Sequence, residues 1–218
     1  MAQVINTNVG ALFAGAALNK SAISLQTAQE RLSSGLRINS AKDDATGLAT
    51  ATGYDTKIRT TNVEIRNANN AISTAQTMDG YLGQITENLQ RMSEVSTSTG
   101  GVANAETNAL VAENTRINLL VTTGAPSLTG TIASVASDLA AVGTARAAFG
   151  ATMASKASEV ATLQISAVNL SAAYSRVMDT DYAAETTALA RSNILQQAGT
   201  AMLAQANQTP QNVLTLLR

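Results

Sequence analysis

The stretch from Ile132 to Val177, IASVASDLAAVGTARAAFGATMASKASEVATLQISAVNLSAAYSRV, decides the fold. Ile132, Val135, Leu139, Val142, Arg146, Phe149, Met153, Lys156, Val160, Leu163, Ala167, Leu170, Tyr174 and Val177 follow one another at alternating intervals of three and four, and among them Arg146 and Lys156 alone are not apolar. That spacing holds a narrow apolar stripe on one side of a helix, as in the seam of a coiled coil. At about 1.5 Å per residue the helix would be roughly 70 Å long, beyond the usual length of a globular helix, and it predicts a rod.

Two further seams lie toward the N-terminus. One runs through Ile58, Thr61, Ile65, Ala68, Ile72, Ala75, Met78, Leu82, Ile85, Leu89 and Met92. The step from Ala75 to Met78 repeats the interval of three, a phase shift that slightly overwinds the packing there. The other runs through Ala11, Ala14, Leu18, Ser21, Leu25, Ala28 and Leu32. Its alternation of Leu with small residues predicts a closely approaching partner helix, and Gly35 is its natural stop. Leu36 to Gly47, LRINSAKDDATG, reads as a connector, and Ser93 to Ala103, containing Thr99-Gly100-Gly101, as an interruption. A short helix from about Glu106 to Leu120 precedes the breaker-rich Thr122 to Pro126. Asp179-Thr180-Asp181 offers N-caps for a last helix, predicted from about Tyr182 to Gln208, ahead of Pro210.

Composition agrees with long helices and argues against most chemistry. The chain is 45% hydrophobic but only 3% aromatic, with no Trp, so its apolar content is mainly Ala, Leu, Val and Ile. A thick core built on large rings is not expected. Two prolines, Pro126 and Pro210, leave the rest of the chain free to be helical. The absence of His and Cys removes the commonest general base and metal ligand, every disulfide and every thiol nucleophile. A net charge of −1 with 13% charged residues gives no footprint for nucleic acid or an anionic membrane. No run approaches the roughly 20 apolar residues of a membrane span, and the first residues lack a secretory signal, so export would use another route.

The motifs that resemble chemistry have plainer readings. Asp43-Asp44 reads as an N-cap beside a turn rather than a carboxylate pair for acid–base work or a metal. Asp179 and Asp181 read as caps of the last helix. Gly100-Gly101 lacks the following Lys of a phosphate loop and reads as a turn. Glycosylation-like triplets at Asn19, Asn169 and Asn207 fall in predicted helices and read as chance matches. The polar run Ser93 to Thr99 is placed for hydroxyl modification, with a plain loop favoured. No catalytic, cofactor or metal residue is assigned, and no small-molecule substrate is expected. The last helix instead carries Ala, Leu, Ile and Met around much of its circumference. Packing on the chain's own rod is one reading, and pairing with neighbouring copies fits better.

Both ends resemble flagellin, the bacterial flagellar filament subunit. At the N-terminal end the residues are AQVINTN at Ala2 to Asn8, ERLSSGLRINSAKDDATG at Glu30 to Gly47, RNANNAISTAQT at Arg66 to Thr77 and NLQRM at Asn88 to Met92. At the C-terminal end they are DTDYAAET at Asp179 to Thr186 and ILQQAGTAMLAQANQTPQNVLTLLR at Ile194 to Arg218. The resemblance implies an all-α fold, a long antiparallel helical hairpin or coiled-coil bundle whose N- and C-terminal helices pair, with little or no β-hairpin. Residues 1–42 and 179–218 would form an inner coiled-coil domain and 43–178 a rod-like core. It further implies unfolded export through the flagellar type III apparatus, ordering of the termini on assembly, and polymerisation into an extracellular filament for swimming. An export chaperone, the filament cap and hook-junction proteins would be partners. Leu18, Leu25, Leu32, Leu195, Met202, Leu203, Val213, Leu214 and Leu217 are the expected assembly interface.

Two departures from the family pattern stand out. Leu119 to Ile132, LLVTTGAPSLTGTI, offers at most a reduced hairpin, and the variable outer domains are missing. The segment that resembles the innate-receptor site, with Leu89, Gln90, Arg91 and Glu94, has Ser93 where a second Arg is common, which predicts weakened recognition. Alternative functions are a hook–filament junction protein, expected to diverge in the C-terminal Asn212 to Arg218, and a chemoreceptor-like signalling hairpin. The latter would be symmetric about one tip and tethered to a membrane.

Overall fold

The computed structural model describes the backbone of residues 7–216 and the side chains of residues 7–208. The described residues are 85% helical, with no strand or sheet among them. Five helices follow in order: α1 Val9–Ser34, α2 Ala45–Thr99, α3 Ala105–Leu120, α4 Val135–Met178 and α5 Tyr182–Leu216, with a 3₁₀ turn Ile132–Ser134 opening α4. They form two compact units. One is built from the described residues up to Thr56 and from Leu170 onward, the other from Lys57–Asn169.

In the first unit, α1 and α5 run antiparallel. Asn8 meets Ala206 at one end, Leu18 faces Gly199 in the middle, and Arg31 lies 3.8 Å from Glu185 at the other end. The spacing-derived seam of α1 holds, since Ala28 is buried and Ala11, Ala14, Leu18, Ser21, Leu25 and Leu32 are half-buried. Gly35 ends α1 in the left-handed conformation, φ +73°, and a Cβ there would meet the Tyr182 hydroxyl at 2.9 Å. Both the φ and the space require glycine. The connector then pairs with the α4–α5 junction: the Arg37 amide donates to the Met178 carbonyl and the Thr180 amide to the Gly35 carbonyl. Beneath these bonds Ile38, Ala51 and Met178 form a small core with Leu36, Leu48, Tyr174 and Val177.

The aspartates of this region serve the backbone. Asp44 accepts the Gly47 amide and the Thr46 hydroxyl and caps α2. Asp43 closes the preceding turn by accepting the Asn39 and Ser40 amides. Bonds from these groups hold both carboxyls below their ordinary value, led by Ser40 for Asp43 and Gly47 for Asp44. Asp181 caps α5 through the amides of Ala183 and Ala184. Asp179, expected to share that role, instead makes an isolated antiparallel bridge with Leu36.

The second unit has a closed apolar core. Met78, Leu82, Ile85, Leu89 and Met92 from α2 pack with Ile117, Val121, Val135 and Val142, and Tyr81, Leu110, Val111, Leu139 and Phe149 surround them. Leu82, Ile85, Met92 and Val142 are fully buried. Arg146, the polar break in the long seam, turns outward, and its Nε donates to Asp79 at 2.8 Å. A pair of amides crosses the core edge, with half-buried Asn88 Nδ2 donating to buried Asn114 Oδ1 at 2.8 Å.

Two boundary expectations are corrected. The interruption at Ser93 to Ala103, with its loop reading, gives way to helix as far as Thr99. Thr97 and Thr99 return their hydroxyls to the carbonyls of Ser93 and Val95, and Val95, buried, adds one more layer to the seam. The helix stops at Gly100 and Gly101, both at positive φ, where the Gly101 amide bonds the Ser96 carbonyl in the pattern of a glycine helix stop. The second correction concerns α5, which does not stop at Gln208 but continues through Pro210 to Leu216.

The segment from Val121 to Thr131 forms a folded loop. Pro126 is buried, its carbonyl accepts from Asn118 Nδ2 at 3.1 Å, and the amides of Thr129 and Gly130 both donate to Asp138.

Candidate assembly interface

The α1–α5 pair concentrates the chain's exposed apolar surface. On α1, Val9, Leu12, Phe13 and Ile23 are 65 to 77% exposed, and on α5 Ile194, Leu195 and Met202 are 51 to 65% exposed. The inward side is different in kind. Glu185, Leu189, Ser192, Gln196, Gly199, Leu203 and Ala206 are half-buried or buried, and their alternating intervals of four and three match a heptad seam. Apart from Leu189 and Leu203, small and polar residues thus face the partner helix, while Ile194, Leu195 and Met202 face away. At Gly199 a Cβ would come within 3.1 Å of Leu18 Cδ1, so the glycine is the hole that receives the leucine.

A 440 Å³ groove runs along the pair between Phe13, Ala14, Ala17 and Leu18 of α1 and Leu195, Ala198, Gly199 and Met202 of α5. Its floor is made of alanine and glycine, and its rims of Phe13, Leu195 and Met202. An apolar side chain from another helix suits it, because nothing charged lines it.

The expected interface residues divide accordingly. Leu18, Leu25, Leu32 and Leu203 are half-buried in the seam. Leu195 and Met202 are 51% and 63% exposed at the groove rim. Val213 and Leu214 lie on α5 with side chains outside the described residues, and Leu217 lies outside the described residues altogether. Phe13, Ile194 and Asn8 were not singled out from spacing. Phe13 is one of only two phenylalanines, a signal available in the sequence.

In the second unit the receptor-like residues separate into two kinds. Leu89 is 1% exposed inside the core, whereas Gln90, Arg91 and Glu94 are exposed on α2. Arg91 is engaged within the chain, with Nε 2.8 Å from Glu106 Oε1 of α3 and NH1 3.1 Å from Glu94 Oε2. The bonds to Glu106 and then Glu94 raise its already high pKa further. No group of three or more acidic, His or Cys residues disposed to hold a metal occurs among the described residues. No helix among them is long and apolar enough to cross a membrane.

A paired helical terminus with an unpartnered apolar face, and no assembled catalytic group among the described residues, defines a class of self-assembling helical subunit. Residues 5–122 match the bacterial flagellin N-terminal helical region and residues 132–217 the bacterial flagellin C-terminal helical region. The chain therefore belongs to the bacterial flagellin family, whose members are the structural subunits of the extracellular flagellar filament. It is 34% identical to the flagellar filament 33 kDa core protein of Treponema phagedenis, over 99% of this chain and 100% of that protein. It is also 52% identical to the phase 1 flagellin of Salmonella naestved and to the flagellin of Salmonella enteritidis, in each case over 49% of this chain and 21% of the relative.

Proposed function

We propose that this flagellin polymerises by burying the outward apolar face of its α1–α5 pair against the same pair in neighbouring copies. The observation that carries this reading is Phe13, at 77% exposure, standing with Leu195 and Met202 around a groove of alanine and glycine. A side chain of that size gains about 1.5 to 3 kcal/mol when fully covered, and each copy offers several. Leu18, Leu25, Leu32 and Leu203 hold the pair itself together, while Leu195 and Met202 face the neighbours. The inner layer formed by residues 1–42 and 179–218 and the rod formed by 43–178 would then be the two working divisions of the subunit.

The role is structural rather than catalytic. Export in an unfolded state suits a chain without cysteine, since no disulfide can block threading. An export chaperone covering α5, a cap at the growing tip and hook-junction proteins at the base are the partners this reading requires.

The test uses Leu25→Asp, which strikes the intrachain seam, and Leu195→Asp, which strikes the outward face. Both are expected to abolish filaments seen by negative-stain electron microscopy under polymerising conditions. Leu195→Asp should leave the circular dichroism of the unpolymerised chain unchanged. Normal filaments from Leu195→Asp would remove the outward face from the assembly contact.

A further inference from the structure

We propose that Asn8 is the register key of the α1–α5 pair, which it fixes by hydrogen-bonding the carbonyl that Pro210 leaves open in α5. In an α-helix the carbonyl of residue 206 receives the amide of residue 210. Here residue 210 is proline, which has no N–H, yet α5 continues through it to Leu216. The Ala206 carbonyl is thereby an acceptor without its regular helical donor. Asn8 Nδ2 donates to that oxygen at 2.8 Å, across 198 residues of sequence. The other end of the same amide is also committed, since Asn8 Oδ1 accepts the Ala11 amide at 3.0 Å and caps α1. One side chain therefore ties the first turn of α1 to the place in α5 where a proline has removed a helical bond.

This adds to the register contacts made by Leu18 in the Gly199 hole and by Arg31 near Glu185, because the small residues of the seam select no alignment by themselves. Ala11, Ala14 and Ala28 on α1 and Gly199 and Ala206 on α5 are all small, and a heptad seam admits slippage by one repeat unless specific contacts select the register. Slipped by seven residues, Asn8 would meet the carbonyl of Gly199, whose helical donor, the amide of Leu203, is present. The amide would then have no open acceptor. Asn8 and Pro210 thus form a complementary pair that the observed alignment satisfies and a slip toward Gly199 does not. The inference deepens the assembly reading above and rests on it for its consequence: a slipped pair would displace Phe13 from Leu195 and Met202 and spoil the groove.

The absence of cysteine permits a direct reporter. A Cβ placed at Gly199 lies 3.8 Å from Leu18 Cβ, the mean separation in disulfides. Leu18→Cys with Gly199→Cys in the full chain should therefore oxidise to an intrachain bond, read on non-reducing gels. Asn8→Asp keeps the cap but replaces the donor by an acceptor. It should lower the rate of crosslinking roughly fivefold, the scale of one lost hydrogen bond. Pro210→Ala restores the amide of residue 210 and makes Asn8 redundant, so Asn8→Asp should have no effect in that background. A role for Asn8 as a cap alone would show no Asn8→Asp phenotype in either background, because Asp keeps the cap.

Equal crosslinking with and without the Asn8→Asp change, in chains that keep Pro210, would overturn the proposal, as would an Asn8→Asp effect of undiminished size in the Pro210→Ala background. Failure of the parent cysteine pair to crosslink would overturn the register itself. Filament formation is scored separately by electron microscopy. Crosslinking that follows the expected pattern in chains that never polymerise would sink the assembly reading and leave the register key standing.

Discussion

Asp138 is 2% exposed near the start of α4, and burial alone would push its carboxyl upward. The amides of Thr129 and Gly130, at 2.9 and 3.1 Å, and the Ser134 hydroxyl, at 3.2 Å, outweigh that and hold it below the ordinary carboxylate value. A carboxyl lowered in the folded state stabilises the fold at pH above its unfolded value of about 3.9, and that contribution disappears as pH falls through the folded value. Thr129 and Gly130 use different oxygens of the carboxylate, and protonation turns one of them into a donor, so the loop from Val121 to Thr131 should loosen below about pH 4. Asp138→Asn keeps the shape but turns an NH₂ toward one of those amides, at a cost of about 1 to 3 kcal/mol. Thermal melting at neutral pH should show this loss, and the gap to the parent should close as the pH is lowered through that window. Equal melting at neutral pH would mean that the loop does not depend on the carboxylate. Glycine acts at the same scale: Gly35 was legible as a stop from its place after the seam, but the Tyr182 hydroxyl that also demands it was not.

Among the elements, legibility followed the spacing. Every position read into the seam of α2, from Ile58 to Met92, is buried or half-buried, because a fixed interval of three and four leaves a helix one apolar side. The seam of α5 was only partly legible, since apart from Leu189 and Leu203 its inward residues are small or polar, while Ile194, Leu195 and Met202 face outward. Helix continuation was underestimated at Ser93 to Thr99, where hydroxyls that usually mark loops bond back to the helix, and at Pro210, where a donor from another helix lies outside any local reading. The juxtaposition of α2 and α3 bears on receptor recognition. Ser93 supplies no guanidinium, and Glu106 of α3 already occupies Arg91. We expect Ser93→Arg to strengthen binding to an innate receptor that reads flagellins, and Glu106→Ala to strengthen it further by releasing Arg91. Each replaces or frees a donor fork of about 1 kcal/mol or more. Surface plasmon resonance with the receptor ectodomain measures both, and affinities equal to the parent's would show that this face of α2 is not read.

Across the whole molecule, the two units differ in how completely they bury their own apolar surface. The second encloses Leu82, Ile85, Leu89, Met92 and Val142 at 0 to 1% exposure, the condition for stability within a single chain. The first buries Ala28 alone along α1, while Leu12, Phe13, Ile194 and Met202 remain 63 to 77% exposed. Local stability scales with such burial, so the units should open at different free energies. Hydrogen exchange on the unpolymerised chain should find slow amides around residues 78–92 and fast ones along α1 and α5. On polymerisation, neighbours would cover the outward face, and the α1 and α5 amides should slow by orders of magnitude, because opening the pair then requires breaking the intermolecular contacts as well. The amides around 82–92 should change little, since their core is complete beforehand. If α1 were as protected in the single chain as residues 78–92, the terminal pair would be stable unaided and its folding would not be coupled to assembly. If α1 and α5 stayed fast in the filament, the outward face would lie outside the contact, and Phe13, Leu195 and Met202 would have to be explained by another partner.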